Sequence, residues 1–162
     1  DVVVKDFAPR ARWVRKALGR WLTAREQQVY RRLEGIDLVP HLLGRVDRHA
    51  FAMEYRPGRL LSRALAEELP GDFLAELERG VAEMHARGIV HLDLSHRSNV
   101  LLGDDGRPVL LDFASAIRIA PTSLLRRGLV VLLAAFDRRA LRKWRSKFDS
   151  PRLRGVALTR PG

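Results

Sequence analysis

Residues 89–113, IVHLDLSHRSNVLLGDDGRPVLLDF, constrain this chain more than any other stretch. Two apolar runs, NVLL and PVLLDF, bracket GDDGR, whose Asp-Gly pair is the preferred composition of a tight hairpin turn. Ahead of the hairpin, Ile89 and Val90 lead into a cluster of two histidines, an aspartate, two serines, an arginine and an asparagine. Buried strand residues on both sides place that cluster at the mouth of a core. Polar groups taken out of water cost free energy unless they are paired or put to use, so the cluster is the first place to look for chemistry.

The rest of the chain reads as elements that could frame such a loop. Residues 2–4 with Phe7 read as a strand. Arg10 to Trp21 reads as a helix, with Trp13, Val14, Ala17, Leu18 and Trp21 on one face and Arg15, Lys16 and Arg20 turned away. Thr23, with Glu26 three residues on, has the form of a capping box for a second helix ending near Glu34 and Gly35. LLGRV and AFAMEY read as a hairpin, and RPGR as the turn after it. The plainest helix runs from Asp72 as its cap to Ala86, with Phe73, Leu74, Leu77, Val81 and Met84 as its apolar stripe and Gly88 as its stop. In the last helix, Leu129, Leu132, Leu133, Phe136, Ala140, Leu141 and Trp144 are expected along one side; residues 151–162 read as a loose tail.

Composition narrows the chemistry. The 162 residues, 46% hydrophobic, can bury a core as one compact domain or two small lobes. With no cysteine, disulfide scaffolds, thiolate metal sites and cysteine nucleophiles are excluded. The longest apolar run, Gly128 to Phe136, is far short of the roughly 20 residues that span a bilayer. With no signal peptide visible, the expected compartment is cytoplasmic. The first residue is Asp1 and leads straight into a strand, so the chain is expected to be cut upstream. Charge is segregated: residues 1–50 carry a net +5, residues 51–117 a net −4, and residues 118–162 a net +10. The polar cluster lies in the acidic middle, and the basic flanks suit a polyanionic neighbour.

Four features fall in one order along the chain. A lysine lies on the first strand (Lys5) and a glutamate lies early in a helix (Glu26). An HxD…N loop follows a helix (His91, Asp93, Asn99), and an aspartate closes the next hairpin before Phe (Asp112). Alone, each has an ordinary explanation: a solvated ion pair, a polar turn, a strand-end cap. Together, over about residues 2–117, they resemble the protein-kinase-like phosphotransferases. The resemblance implies an α+β, two-lobed kinase-like fold with a minimal second lobe and a first lobe lacking its initial hairpin and Gly-rich loop. Residues 1–55 would form the first lobe, 56–150 the second and 151–162 the tail.

The resemblance also implies roles. Lys5 would hold the α/β-phosphates of ATP, and Glu26 would hold Lys5. Asp93 would take the acceptor hydroxyl's proton. Asn99 and Asp112 would supply oxygen ligands to Mg²⁺. Met53 would border the adenine pocket, with the backbones of Glu54 and Arg56 hydrogen-bonding the base. His91 would be structural, and Asp137 could hold the loop's backbone or lie on the surface. His41, His49 and His85 have no partner pattern, and Ser62 and Thr122 read as caps.

Two departures stand out. Five residues separate Asp93 from Asn99 where the family has four, and Ala114 replaces the glycine after DF. No activation segment is recognisable. That brevity resembles the lipopolysaccharide-core sugar kinases, which phosphorylate Kdo or heptose, and the RIO kinases, which share a DLS at Asp93, Leu94 and Ser95. Ser95 stands where many protein kinases have a phosphate-contacting lysine, and His96 or Arg97 is expected to replace part of that charge.

The acceptor is therefore expected to be a hydroxyl, of a lipopolysaccharide-core sugar first and of a protein serine second. A catalytically silent kinase-fold binding module is the reading from outside the enzyme class. Arg10–Trp21 and Leu129–Lys147 combine apolar faces with Arg and Lys, which suits an anionic membrane surface and a peripheral place on the inner membrane. No helix-turn-helix, aromatic stacking sheet or zinc pattern is present, so nucleic acid is not the expected partner.

Overall fold

A computed structural model describes residues 1–6, 20–47, 49–119 and 124–148. It is a mixed α/β structure, with three α-helices and small antiparallel sheets among the described residues. Strand β1 (Val2–Asp6) pairs with β3 (Ala50–Glu54), which pairs with β2 (Leu42–Arg45), giving a sheet of order β1-β3-β2. Lys5 lies opposite Phe51 in that register, so its strand neighbour anchors the core.

Helix α1 (Arg20–Leu33) packs on this sheet through Val29, Tyr30 and Leu33. It begins earlier than the sequence suggests and runs unbroken past Thr23. Thr23 is buried within the helix, and its hydroxyl donates to the His49 carbonyl at 3.4 Å. The capping box is therefore not formed, and Glu26 is free of that task. Trp21, expected on an apolar face, is exposed under the Arg25 guanidinium, 5.3 Å from its ring centre. The remainder of the Arg10–Trp21 helix, Thr122 and the tail lie outside the described residues.

Tyr55 to Pro57 carry the chain from β3 to β4 (Gly58–Leu60). The second sheet has the order β4-β6-β7, with β6 (Val100–Gly103) and β7 (Pro108–Leu110) forming the hairpin expected around Asp105-Gly106. Its two strands are buried at every residue. Helix α2 (Phe73–Ala86) buries Phe73, Leu77, Val81 and Met84, as its stripe requires. Asp72 stands at its N-cap but in a helical conformation, which turns its side chain away from the cap hydrogen bond. Ser62 likewise precedes a short 3-10 turn without capping it through its side chain. Gly88 ends the α2 region at φ 76°, a left-handed conformation that glycine adopts without strain.

Strands β5 (Ile89–Val90) and β8 (Ile117–Arg118) form a third, two-stranded sheet. Helix α3 (Leu124–Phe148) packs on α2 and β5. It buries Val130, Ala134, Asp137, Ala140, Leu141 and Trp144. Leu129, Leu132 and Phe136, expected on the same side as Ala140, Leu141 and Trp144, are exposed instead, and Leu133 is part-buried. The expected stripe spans too wide an arc for one contact. The loop backbone draws Asp137 inward, and that choice rotates the leucines out.

Candidate active site

Lys5 on β1 reaches two carboxylates at once. Its Nζ donates to Glu26 Oε1 at 2.6 Å and to Asp112 Oδ1 at 2.7 Å. These three residues are 21 and 107 positions apart along the chain, so only the fold brings them together. Glu26 is 1% exposed and Asp112 is 52% exposed, so the triad runs from core to cleft. Burial raises the Glu26 pKa above its ordinary value; Lys5 and the Phe113 N–H oppose this without reversing it, and the Asp112 charge adds to it. Burial also pushes the Asp112 carboxyl up, but the Lys5 hydrogen bond and charge outweigh it and hold that pKa low. The ammonium thus keeps an anion at the cleft's edge.

Asp112 sits in the left-handed region at φ 59°, followed by a 3-10 turn, Phe113–Ser115. Its side chain accepts from Ala114 N at 3.4 Å. Phe113 points inward and packs edge-on to Tyr30 at 5.1 Å and against His91 at 4.9 Å, while Tyr30 meets Phe51 at 5.7 Å. An aromatic column therefore joins β3, α1, the Asp112 turn and the His91 loop.

The polar cluster of the 91–99 loop is organised from within. Asn99 Nδ2 donates to Asp93 Oδ2 and to the Asp93 carbonyl, both at 2.9 Å. The extra residue between them is taken up by turns: His96 N donates to Asp93 O, and Asn99 N to His96 O. Acid and amide meet despite the longer spacing. Asn99 itself is buried, and its Oδ1 accepts from the Ser98 hydroxyl at 3.1 Å. Ser95, His96 and Arg97 are exposed.

His91 is fully buried. Its Nε2 faces the Leu111 carbonyl at 3.1 Å and its Nδ1 accepts from Asp93 N at 3.4 Å, which defines the neutral Nε2–H tautomer. Burial depresses its pKa, against the pull of the Leu111 carbonyl and of Asp137, Asp93 and Asp112. It braces the loop.

Asp137 does the same from beneath. Its carboxylate accepts from His91 N at 2.8 Å and Leu92 N at 2.9 Å, and meets His85 Nε2 at 2.8 Å. Leu92 is held at φ 66°, where a leucine is strained, and these backbone contacts retain it there. Trp144 Nε1 donates to the Leu94 carbonyl at 3.1 Å. His85 and Trp144 are supports that sequence reasoning missed. Their partners are backbone groups or a residue 52 positions away, and no local pattern announces them. Arg25, also missed, donates to the Ala116 carbonyl and so ties the Glu26 helix to the segment after Asp112.

A cavity of about 580 Å³ opens against these groups. Lys5, Asn99 and Asp112 line it, Val3, Val4 and Met53 supply apolar surface, and Glu54 and Arg56 border it. The Glu54 side chain binds Arg56, and its N–H donates to the His41 carbonyl at 2.8 Å, so that N–H is not the one offered to a base. Among the described residues no three His, Asp or Glu gather as a closed metal cage. Asn99 and Asp112 are instead two hard oxygen donors in an open cleft, the donor set that suits Mg²⁺ completed by phosphate oxygens.

The RIO domain family model matches residues 4–149. The chain belongs to the RIO family, which is protein-kinase-like. The probable SapB synthase of Streptomyces coelicolor is 34% identical over 113 residues, covering 57% of this chain and 12% of that protein. Serine/threonine-protein kinase 16 of Mus musculus is 43% identical over 51 residues, covering 32% and 16%. The human protein of that name is 51% identical over 37 residues, covering 23% and 12%. The RIO chain thus spans a small part of the curated relatives it matches. Its family and its relatives support a kinase-type phosphotransferase.

Proposed function

We propose that this RIO-family chain binds ATP in the cavity between its first and second sheets and transfers the γ-phosphoryl group to a hydroxyl. Residues 1–55 and 56–150 act as two lobes with the cleft between them. The observation that carries this reading is the meeting of Lys5 with Glu26 and Asp112 at a cavity that Lys5, Asn99 and Asp112 all line, with Asp93 hydrogen-bonded to Asn99. Lys5 binds the α/β-phosphates, and Glu26 keeps its ammonium aimed. Met53 lines the adenine site, with backbone groups of Glu54 and Arg56 beside it. Asp93, oriented by Asn99, accepts the proton of the attacking hydroxyl as the new P–O bond forms and the bond to the ADP oxygen breaks. Asn99 and Asp112 would hold Mg²⁺, which would supply neutralisation of the phosphate charge.

RIO membership and the kinase relatives favour a protein serine as acceptor over the lipopolysaccharide-core sugar that the sequence first suggests. The sugar stays second on the strength of the basic flanks, which also support a cytoplasmic enzyme peripheral to an anionic membrane. Purified full chain should release ADP from Mg²⁺-ATP, and Asp93→Asn should lower that rate by about 10²–10⁴-fold. No release would make the chain a silent binding module, and release unaffected by Asp93→Asn would overturn the role given to Asp93. Transfer of ³²P to deacylated lipopolysaccharide and not to serine would reverse the choice of acceptor.

A further inference from the structure

The first half of α3 is apolar on the side that faces solvent. Leu124 and Leu125 are 84% and 87% exposed, and Val131, Leu132 and Phe136 are 61%, 66% and 61% exposed. Leu125, Leu129, Leu132 and Phe136 follow one another at four, three and four residues, with Leu124 and Val131 widening the band. The second half changes character: Arg138, Arg139, Arg142 and Lys143 are exposed there. The whole helix has eight basic residues and a single acid, Asp137, which is buried beneath the 91–99 loop. At its end, Arg145 pairs with Glu78 at 2.6 Å, and the Lys147 ammonium lies 4.6 Å from the centre of the Trp144 ring.

From this arrangement the geometry points to α3 as an interfacial helix. The exposed apolar side chains of 124–136 lie in the acyl boundary of an anionic membrane, with Arg126, Arg127 and the basic residues of 138–143 among its headgroups. The charge decides the occupant. A second copy would bring one strongly cationic helix against another, which repels. A band this wide suits a lipid surface better than the narrow a/d seam that a partner helix fills. The helix lies on the bilayer and does not cross it: no helix among the described residues is long and apolar enough to span. Because Asp137 in the same helix holds the His91–Leu92 backbone, the seat would also fix how the 91–99 loop stands relative to the surface. This deepens the peripheral placement proposed above and does not depend on chemistry in the cleft.

The test is vesicle sedimentation of the full chain on phosphatidylcholine carrying about a third phosphatidylglycerol, against pure phosphatidylcholine. Binding should require the anionic lipid and weaken severalfold between about 50 and 200 mM salt. Leu132→Gln with Phe136→Gln should lower the partition coefficient at least about tenfold with an unchanged thermal midpoint, since both side chains are exposed. Asp93→Asn should bind as the parent does, so failure of the kinase reading would leave this result intact. The chain has no native cysteine, so an environment-sensitive dye at Leu132→Cys should brighten on vesicles while one at Val46→Cys does not. Equal binding to both lipids, no binding, or a double variant that binds like the parent would overturn the proposal. So would a soluble dimer that the double variant abolishes.

Discussion

At the scale of single residues, Lys5 and Glu26 show why a pair that looks ordinary in sequence matters in the fold. Glu26 is buried and its pKa is raised, so its charge depends on Lys5. Removing Lys5 strands a buried carboxylate. Lys5→Met is expected to destabilise the chain by about 1–3 kcal/mol at neutral pH by urea unfolding, with Lys5→Met/Glu26→Leu recovering part of the loss. The single variant's cost should shrink on mild acidification, because the stranded carboxyl then takes up a proton. His91 carries a different pH signature. Its folded pKa is depressed, so below the ordinary histidine range the unfolded chain binds a proton that the folded chain refuses. Stability should fall as the pH drops from about 7 to 5, and His91→Gln should flatten that slope by up to one proton's worth, about 1.4 kcal/mol per pH unit.

At the scale of elements, the 91–99 loop is held from α3 by Asp137 and Trp144 and from α2 by His85. Asp137→Ala would leave two backbone N–H groups buried without an acceptor and release the strain at Leu92. A loss of about 2–4 kcal/mol in urea titration is expected, with kcat falling more than the KM for ATP changes. Strand β4 offers a contrasting case. A Cβ on Gly58 would sit 2.5 Å from the Leu102 carbonyl oxygen, and backbone in a paired strand cannot yield. Gly58→Ala should therefore cost about 1–3 kcal/mol and lower the thermal midpoint.

At the scale of the whole molecule, one continuous core joins β3, α1, α2, the β6–β7 hairpin and the end of α3. The aromatic column of Phe51, Tyr30, Phe113 and His91 runs through it and links the sheet that bears Lys5 to the loop that bears Asp93. Truncating a central member should loosen both sides at once. Phe113→Ala is expected to cost about 3–5 kcal/mol in stability and to weaken ATP binding, read by calorimetry, although Phe113 itself is buried away from the cleft.

The sequence by itself determined the elements whose signals are local: α2 with its stripe and stop, the β6–β7 hairpin at Asp105-Gly106, and the β2–β3 hairpin. It also carried the order of Lys5, Glu26, Asp93, Asn99 and Asp112, because chemistry restricts residue type at each position. Only the tertiary structure decided which face of α3 turns inward, since a helix apolar over a wide arc can be buried along any part of it. It likewise extended α1 past Thr23 and gave Asp137 and His85 their roles. Those outcomes depend on backbone donors and side chains distant in sequence, which periodicity along one segment does not encode.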